Sequence, residues 1–212
     1  VLSFMTNDYR LLVKAMNDND LQTLRAVRKN LKDATVAYKR NRRLELLALR
    51  RSPMEVAIER NTWFHLAQNS NQQFLYCLTR ILDPVIEHVD NGFHPIPKSY
   101  MSEYAQVLQR VDVLMSTSLG MMQSNDYKDY YNIVEVADNL KDELSGLRKR
   151  HIDRMQRVNT IDLTTSMLYL NLLQETQEML SIMRHQLRST KNFTASKNHR
   201  LFCSMSFKCI TL

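Results

Sequence analysis

The chain has 212 residues, of which 44% are hydrophobic and 24% charged, the proportions of a soluble globular protein. It contains only three Gly and four Pro, where average usage would give about 15 and about 10. This shortage argues against Gly-rich phosphate loops and most hairpin chemistry, and it favours an all-helical fold. The 29 basic and 22 acidic residues give a net charge of +7, which favours an anionic partner such as a membrane face, an acidic protein or nucleic acid.

The sequence shows neither a membrane-spanning segment nor a signal peptide, and this bears on the cellular location. No run approaches the roughly 18 apolar residues needed to cross a bilayer, and residues 1–20 lack the layout of a signal peptide. We therefore expect a soluble, non-secreted chain, and the first residue, Val1, suggests a fragment or a processed product. Cys77, Cys203 and Cys209 make an odd count without metal-ligand spacing, which favours a reducing cytoplasm.

Helix start and stop signals predict three helices in the first half of the chain. They span about residues 7–16, 21–51 and 53–90, and the third begins at the capping pair Ser52-Pro53. Pro84 should kink the third helix because it has no amide hydrogen to donate. The predicted inward positions of the first two helices are Leu11, Leu12, Ala15, Met16, Leu21, Leu24, Val27, Leu31, Ala34 and Tyr38.

Residues 91–97 hold one Gly and two Pro, which predicts the connection between two halves. Three further helices are expected over about 99–121, 125–157 and, starting at Thr160 or Asp162, to about 188. The inward positions of the fourth helix are Tyr104, Val107, Leu108, Val111 and Met115.

An internal repeat links the two halves. Asn30-Leu31-Lys32-Asp33 recurs at 139–142, and in both copies a basic run follows. The pattern predicts two three-helix bundles, each with its own core, over residues 1–92 and 93–190, with an irregular tail at 191–212. Chance similarity between amphipathic helices is the alternative. Four apolar positions also match at an offset of 105 residues: Phe74, Leu75, Leu78 and Leu82 with Met179, Leu180, Met183 and Leu187.

The sequence resembles the PhoU-like family over roughly residues 6–193. The resemblance is carried by residues 44–51 with their paired arginines, by 76–91, and by 166–193. It is closest to the cytosolic PhoU-like region that follows the membrane portion of some bacterial inorganic phosphate transporters. It implies an all-α, PhoU-like tandem pair of three-helix bundles, with six antiparallel helices and a role in regulating phosphate uptake.

The sequence departs from the family at the metal site. Many PhoU proteins carry a repeated carboxylate motif that binds metal ions, whereas residues 68–73 here are amides and a serine. The second half offers only Glu175 and Glu178, which share a helix face but supply fewer oxygens than a hard cation needs. We expect neither a metal ion nor a cofactor, although metal binding by Glu175 and Glu178 is left open.

The titratable residues do not indicate an enzyme. The six histidines lack metal-ligand spacing, and we expect most of them at the surface. Cys77 lies in an apolar run and is typical of a core residue. Asp83, Glu87 and Asp90 form an acidic helix end that favours a solvated surface over a cation site.

Two basic stretches are the candidate docking residues. They are Lys39, Arg40, Arg42, Arg43, Arg50 and Arg51 in the first half, and Arg148, Lys149, Arg150 and Arg154 in the second. One interpretation is that these cations only complement helix dipoles. The other is docking to an anionic membrane surface, where each cation is worth on the order of 1 kcal/mol. Nucleic acid is not the expected partner, because no aromatic residues interleave the cations and no binding module is present.

The chain contains 12 Met residues, which predict either core filling or an adaptable groove for a partner helix. The relevant residues are Met115, Met121, Met122, Met179 and Met183. Residues 201–212 alternate apolar and polar side chains in part, which suits a short strand or an intermolecular contact.

The resemblance implies a cytosolic regulatory domain of an inorganic phosphate transporter, at the cytoplasmic face of the inner membrane. Its expected partners are the membrane domain of the transporter and the anionic membrane surface, and homo-oligomer formation is left open. The alternative is a stand-alone helical adaptor or signalling protein that binds a partner helix.

Overall fold

A computed structural model describes residues 2–49, 54–157 and 162–195. These residues form six α-helices and no strand, which confirms the all-α prediction. The predicted helix start at Ser52-Pro53, the cations Arg50 and Arg51, and the segment 201–212 lie outside the described residues. The helices are α1 (Leu2–Asn17), α2 (Leu21–Leu49), α3 (Met54–Asp90), α4 (Lys98–Ser124), α5 (Tyr130–Arg157) and α6 (Leu163–Ala195).

The start of α6 was predicted correctly and the start of α5 was not. The Asp162 carboxylate accepts hydrogen bonds from the Thr164 amide at 3.1 Å and the Thr165 hydroxyl at 2.6 Å, as an N-terminal cap does. Asn125, the expected start of α5, instead adopts a left-handed φ of 54° and ends α4. The helix begins only at Tyr130.

The end of α6 corrects the prediction of an irregular tail from residue 191. The helix continues to Ala195, because its last turns make tertiary contacts. The Lys191 ammonium lies 4.0 Å from the ring centre of Tyr130 and 4.8 Å from that of Tyr131. Phe193 is buried, and its ring centre lies 6.0 Å from that of Phe64 on α3.

The connection between α3 and α4 lies at residues 91–97, where Gly and Pro predicted it. Helix α3 continues through Pro84, and Gly92 then takes a φ of 64° just past its end, a conformation that favours glycine. The carbonyl of His94, in this connection, makes polar contacts with α3 and α6. This oxygen lies 2.9 Å from the hydroxyl oxygen of Thr165 and 2.8 Å from Nε2 of His88.

The helices pack in two groups that meet along α3 and α6. Helices α1, α2 and α3 contact one another, as do α4, α5 and α6. The α3–α6 pair is the most extensive, and α1 also contacts α4. Contacts between α3 and α6 join Asn71 to Gln186 and Arg80 to Glu175, so these two helices run antiparallel.

The core is continuous across both groups. Buried apolar residues from all six helices form one cluster, whereas two separate cores were predicted. The large α3–α6 interface explains the difference, since Leu75 and Leu82 on α3 and Leu172 and Leu187 on α6 are each 0% exposed. Burial of this kind contributes roughly 1.5 to 3 kcal/mol per large side chain.

Most of the predicted inward positions are confirmed. All five positions of α4 are buried, and in α1 and α2 only Leu11 is exposed, while Leu21 and Ala34 are half-buried. Cys77 is fully buried. The Met residues singled out in α4 and α6 are also buried, as core filling predicts, so they do not line a groove at the surface: Met115, Met121, Met122, Met179 and Met183.

Candidate docking site at the basic helix ends

The first basic cluster begins where α2 leaves the core. Tyr38 is the last buried residue of this helix among those whose side chains are described, and its hydroxyl donates to the side-chain oxygen of Gln68 at 2.7 Å. Beyond it, Arg42 is half-buried. The other described positions are exposed, namely Lys39, Arg40, Asn41, Arg43, Leu44 and Leu47. Most of the described side chains in this part of α2 therefore lie in solvent.

The described cations of the first cluster have no acidic partner among the described side chains. Nη1 of Arg42 donates to Oε1 of Gln72 at 2.6 Å, a neutral group. Lys39, Arg40 and Arg43 form no ion pair with any described residue. The facing stretch of α3, residues 68–73, carries amides and a serine and no carboxylate.

The helix dipole does not account for this cluster. The dipole effect is confined to about the last turn of a helix, and the last turn of α2 contains no cation. Lys39, Arg40 and Arg43 lie further back, because α2 continues to Leu49. The dipole interpretation therefore does not extend to Lys39, Arg40 and Arg43, and docking of this cluster stays a prediction.

The arginines of the second basic cluster all have polar partners, one of which is acidic. Nη2 of Arg150 and of Arg154 lie 3.6 and 3.5 Å from the carboxylate oxygens of Glu103 on α4. Nη1 of Arg148 donates to Oε1 of Gln174 at 2.6 Å. Among the described residues, Lys149 is the one cation of this cluster without such a partner. Arg154 also lies in the last turn of α5, where a cation complements the dipole.

The two clusters lie toward opposite ends of the α3–α6 pair. The first attaches to α3 at Gln72, next to the contact between Asn71 and Gln186. The second attaches to α6 at Gln174, next to the contact between Arg80 and Glu175. Gln174 and Gln186 are 12 positions apart in the sequence, or about 18 Å along a helix. A flat surface therefore meets both clusters only if the bundle lies lengthwise on it.

A buried histidine adjoins the second cluster. His151 is 1% exposed, and its ring lies 4.8 Å from that of Tyr100 and 4.9 Å from that of Tyr169. Burial lowers the pKa of His151, and the charge of Arg154 lowers it further. Neither ring nitrogen has a hydrogen-bond partner in the described part of the chain.

Three of the five described histidines are exposed, in line with the prediction that most lie at the surface. His65, His94 and His185 are exposed, whereas His88 and His151 are buried. His199 lies outside the described residues. Helical spacing contains a signal for His151, because the residue continues the buried stripe of α5 that includes Leu140, Leu144 and Leu147.

The acidic residues form pairs instead of a metal site. Glu175 is largely buried and binds Nε of Arg80 at 2.8 Å. Asp83 and Asp90, in the predicted acidic helix end, pair with Arg28 and Arg25, each at 2.9 Å. Within the described ranges, no three His, Cys, Asp or Glu side chains are grouped closely enough to hold a metal ion.

A shallow groove of about 600 Å³ runs between α3 and α6. Its walls combine apolar side chains, such as Leu66 and Ile182, with the charged or titratable side chains Glu178, His185 and Arg188. Glu178, which the sequence analysis left open as a metal ligand, is exposed in this groove.

The described helices include none long and apolar enough to cross a membrane. No protein-family model, curated protein or solved structure matches the chain.

Proposed function

We propose that this chain is the cytosolic regulatory domain of an inorganic phosphate transporter, arranged as a PhoU-like pair of three-helix bundles and docked on the anionic cytoplasmic face of the inner membrane. The observation that carries the docking is the uncompensated charge of Lys39, Arg40 and Arg43 on the solvent side of α2. The phosphate connection comes from the sequence resemblance.

The packing of the helices supports the tandem arrangement. Contacts within α1–α3 and within α4–α6 follow the division that the repeat predicts, with α3 and α6 in corresponding places. The four pairs of positions that match at the offset of 105 residues are all buried, from Phe74 with Met179 to Leu82 with Leu187. A duplicated unit would place equivalent side chains in equivalent environments in this way.

Electrostatic attraction between these cations and anionic lipids would drive the docking. Each cation near an anionic leaflet contributes on the order of 1 kcal/mol, so three together hold a domain that is already close to the membrane. The second cluster contributes less, because Glu103 shares the charges of Arg150 and Arg154. The basic cytoplasmic ends of transporters argue against direct contact between these cations and the transporter itself.

Regulation follows from differential binding. A domain held at the membrane has a high effective concentration next to the transporter. If it binds one transport conformation more tightly than the other, it shifts their populations, whereas equal affinity for both would change nothing. The mechanism requires no covalent chemistry.

The test is phosphate uptake in cells that make the transporter with and without residues 1–212, at matched membrane abundance of the transporter. A changed rate or a changed dependence on phosphate supports the regulatory role, and identical uptake refutes it. A triple variant, Lys39→Glu, Arg40→Glu and Arg43→Glu, should reduce membrane association and alter uptake. The matched control replaces three exposed lysines elsewhere, Lys14, Lys29 and Lys32, by Glu and should leave both unchanged.

A further inference from the structure

Exposed leucines accompany the uncompensated cations of α2. Leu44 is 59% exposed and Leu47 is 50% exposed, although both are large apolar side chains in a chain with an ample core. Exposed leucines that stand alone need no explanation, but these two lie three positions apart on a helix with four cations just before them.

The helix geometry places leucines and cations together. Arg40 and Leu44 are four positions apart, as are Arg43 and Leu47, and residues at this spacing are neighbours on a helix surface. The aliphatic stem of an arginine is long enough to reach headgroup phosphates while an adjacent leucine lies deeper. A cation placed in this way keeps its charge at the headgroups while the leucines reach the acyl boundary, where interfacial helices bury apolar side chains.

We infer that the segment of α2 from Lys39 to Leu47 is an interfacial membrane-insertion element. Leu44 and Leu47 enter the boundary between headgroups and acyl chains of an anionic bilayer, while Lys39, Arg40 and Arg43 bind lipid phosphates. The inference rests on the proposed membrane docking and goes beyond it, because docking by charge alone would leave both leucines in water.

Charge complementarity favours an anionic bilayer as the binding partner of residues 39–47. Glu45 is the single acidic residue between positions 39 and 47, against four cations. An anionic lipid surface supplies both the charge that these cations lack and an apolar layer at the depth of the leucines.

The opposite end of the bundle provides a matched control. Leu163 is 64% exposed and Met167 is 58% exposed, which is at least as much apolar exposure as at the first cluster. They lie at the start of α6, the helix to which the second cluster attaches at Gln174, but the arginines there are engaged with Glu103 and Gln174. Exposed apolar surface whose neighbouring arginines are held by protein groups should insert less.

The experiment measures binding of the 212-residue chain to vesicles of phosphatidylcholine with phosphatidylglycerol, and to vesicles of phosphatidylcholine alone. We expect the parent chain to bind only the anionic vesicles. The variant Leu44→Ser with Leu47→Ser should bind them about tenfold more weakly. The control Leu163→Ser with Met167→Ser should stay within about twofold of the parent. Circular dichroism establishes that each variant is folded.

Depth is measured separately by fluorescence. Leu47→Trp and Leu163→Trp each add one indole to the same background, Trp63, and vesicles with brominated acyl chains quench an indole that is inserted. We expect quenching of the added emission for Leu47→Trp and none for Leu163→Trp.

Each contrary outcome has a distinct meaning. If the serine variant at Leu44 and Leu47 binds like the parent while the Lys39, Arg40 and Arg43 charge variant loses binding, insertion is refuted and electrostatic docking stands. If the serine variant binds vesicles normally but loses binding to the purified membrane domain of the transporter, the leucines contact protein and the inference is wrong. If the parent binds neither kind of vesicle, both membrane contacts are refuted, and the uptake comparison decides the regulatory role independently.

Discussion

Nη1 of Arg42 donates a hydrogen bond to Oε1 of Gln72 at 2.6 Å, so a cation at the basic end of α2 is satisfied by a neutral amide. Nη1 of Arg148 makes the same kind of bond to Gln174 at the other end of the bundle. An amide accepts the hydrogen bond without cancelling the charge, which keeps the field of each cluster positive.

Replacing Gln72 by Glu should therefore lower the affinity for anionic vesicles. The new carboxylate would pair with Arg42 and offset part of the cluster's charge, and an exposed pair of this kind adds about 0.2 to 1 kcal/mol of stability. Vesicle co-sedimentation measures the affinity and thermal unfolding the stability. Gln174→Glu is the matched control, because it makes the same change beside Arg148. Equal losses of affinity for the two variants would contradict a docking role confined to the α2 end.

The last turns of α6 should depend on the contact between Lys191 and two tyrosine rings. Replacing Lys191 by Met removes the cation while retaining an apolar stem, and it should destabilise the helix end by about 0.5 to 1 kcal/mol. Faster amide hydrogen exchange over residues 190–195 would report the loss. Arg188→Met, on an exposed side of the same helix, should leave exchange there unchanged. Lys191→Arg should restore protection, and unaltered exchange in Lys191→Met would show that burial of Phe193 alone holds these turns.

Much of the fold was predictable because local signals govern helix starts and buried stripes. The Asp162 cap and the inward positions of α4 follow from residues within a few positions of one another. The start of α5 was missed, because Asn125 and Asp126 form a turn that resembles a cap in sequence. The extension of α6 was missed because Lys191 meets Tyr130 and Tyr131 only in the folded chain.

The candidate site was predictable as a set of cations but not as a distribution of charge. Nothing near Arg150 or Arg154 in the sequence reveals Glu103, which lies on another helix 47 positions from Arg150. The two basic stretches look alike in sequence, and only the tertiary structure brings an acidic residue to one of them. The exposure of Leu44 and Leu47 was equally hidden, since the apolar pattern continues past Tyr38, where the helix leaves the core.

The pH dependence of stability should contain a contribution from Asp8. This carboxyl is 1% exposed, and burial raises its pKa to about 6, while a hydrogen bond with Asn30 acts in the opposite direction. Because the folded pKa exceeds the unfolded value, the contribution is most favourable below about pH 4 and is lost as the pH rises through 6. Asp8→Asn should therefore increase the free energy of unfolding at pH 7.5 by roughly 1 to 3 kcal/mol and have little effect near pH 4.

Urea unfolding of the parent and of Asp8→Asn at both pH values tests this prediction. Asp142→Asn is the control, since Asp142 is exposed and should respond little at either pH. A gain of equal size at pH 4 and pH 7.5 would mean that the asparagine improves packing, and that ionisation of Asp8 is not the cause.

His151 should impose the opposite pH dependence. Its ring is buried between Tyr100 and Tyr169, and burial lowers its pKa in the folded state. The neutral form is thus favoured by folding, so its contribution is present above the unfolded pKa of about 6.5 and declines as the pH falls through the lowered folded value.

His151→Phe keeps an aromatic ring in this place and removes the proton-binding group. The variant should unfold at a higher urea concentration than the parent at pH 5, and their difference should shrink at pH 8. His65→Phe, at an exposed position, should follow the parent at both pH values. A parent and His151→Phe that lose stability in parallel on acidification would show that His151 is protonated as readily in the folded chain as in the unfolded one.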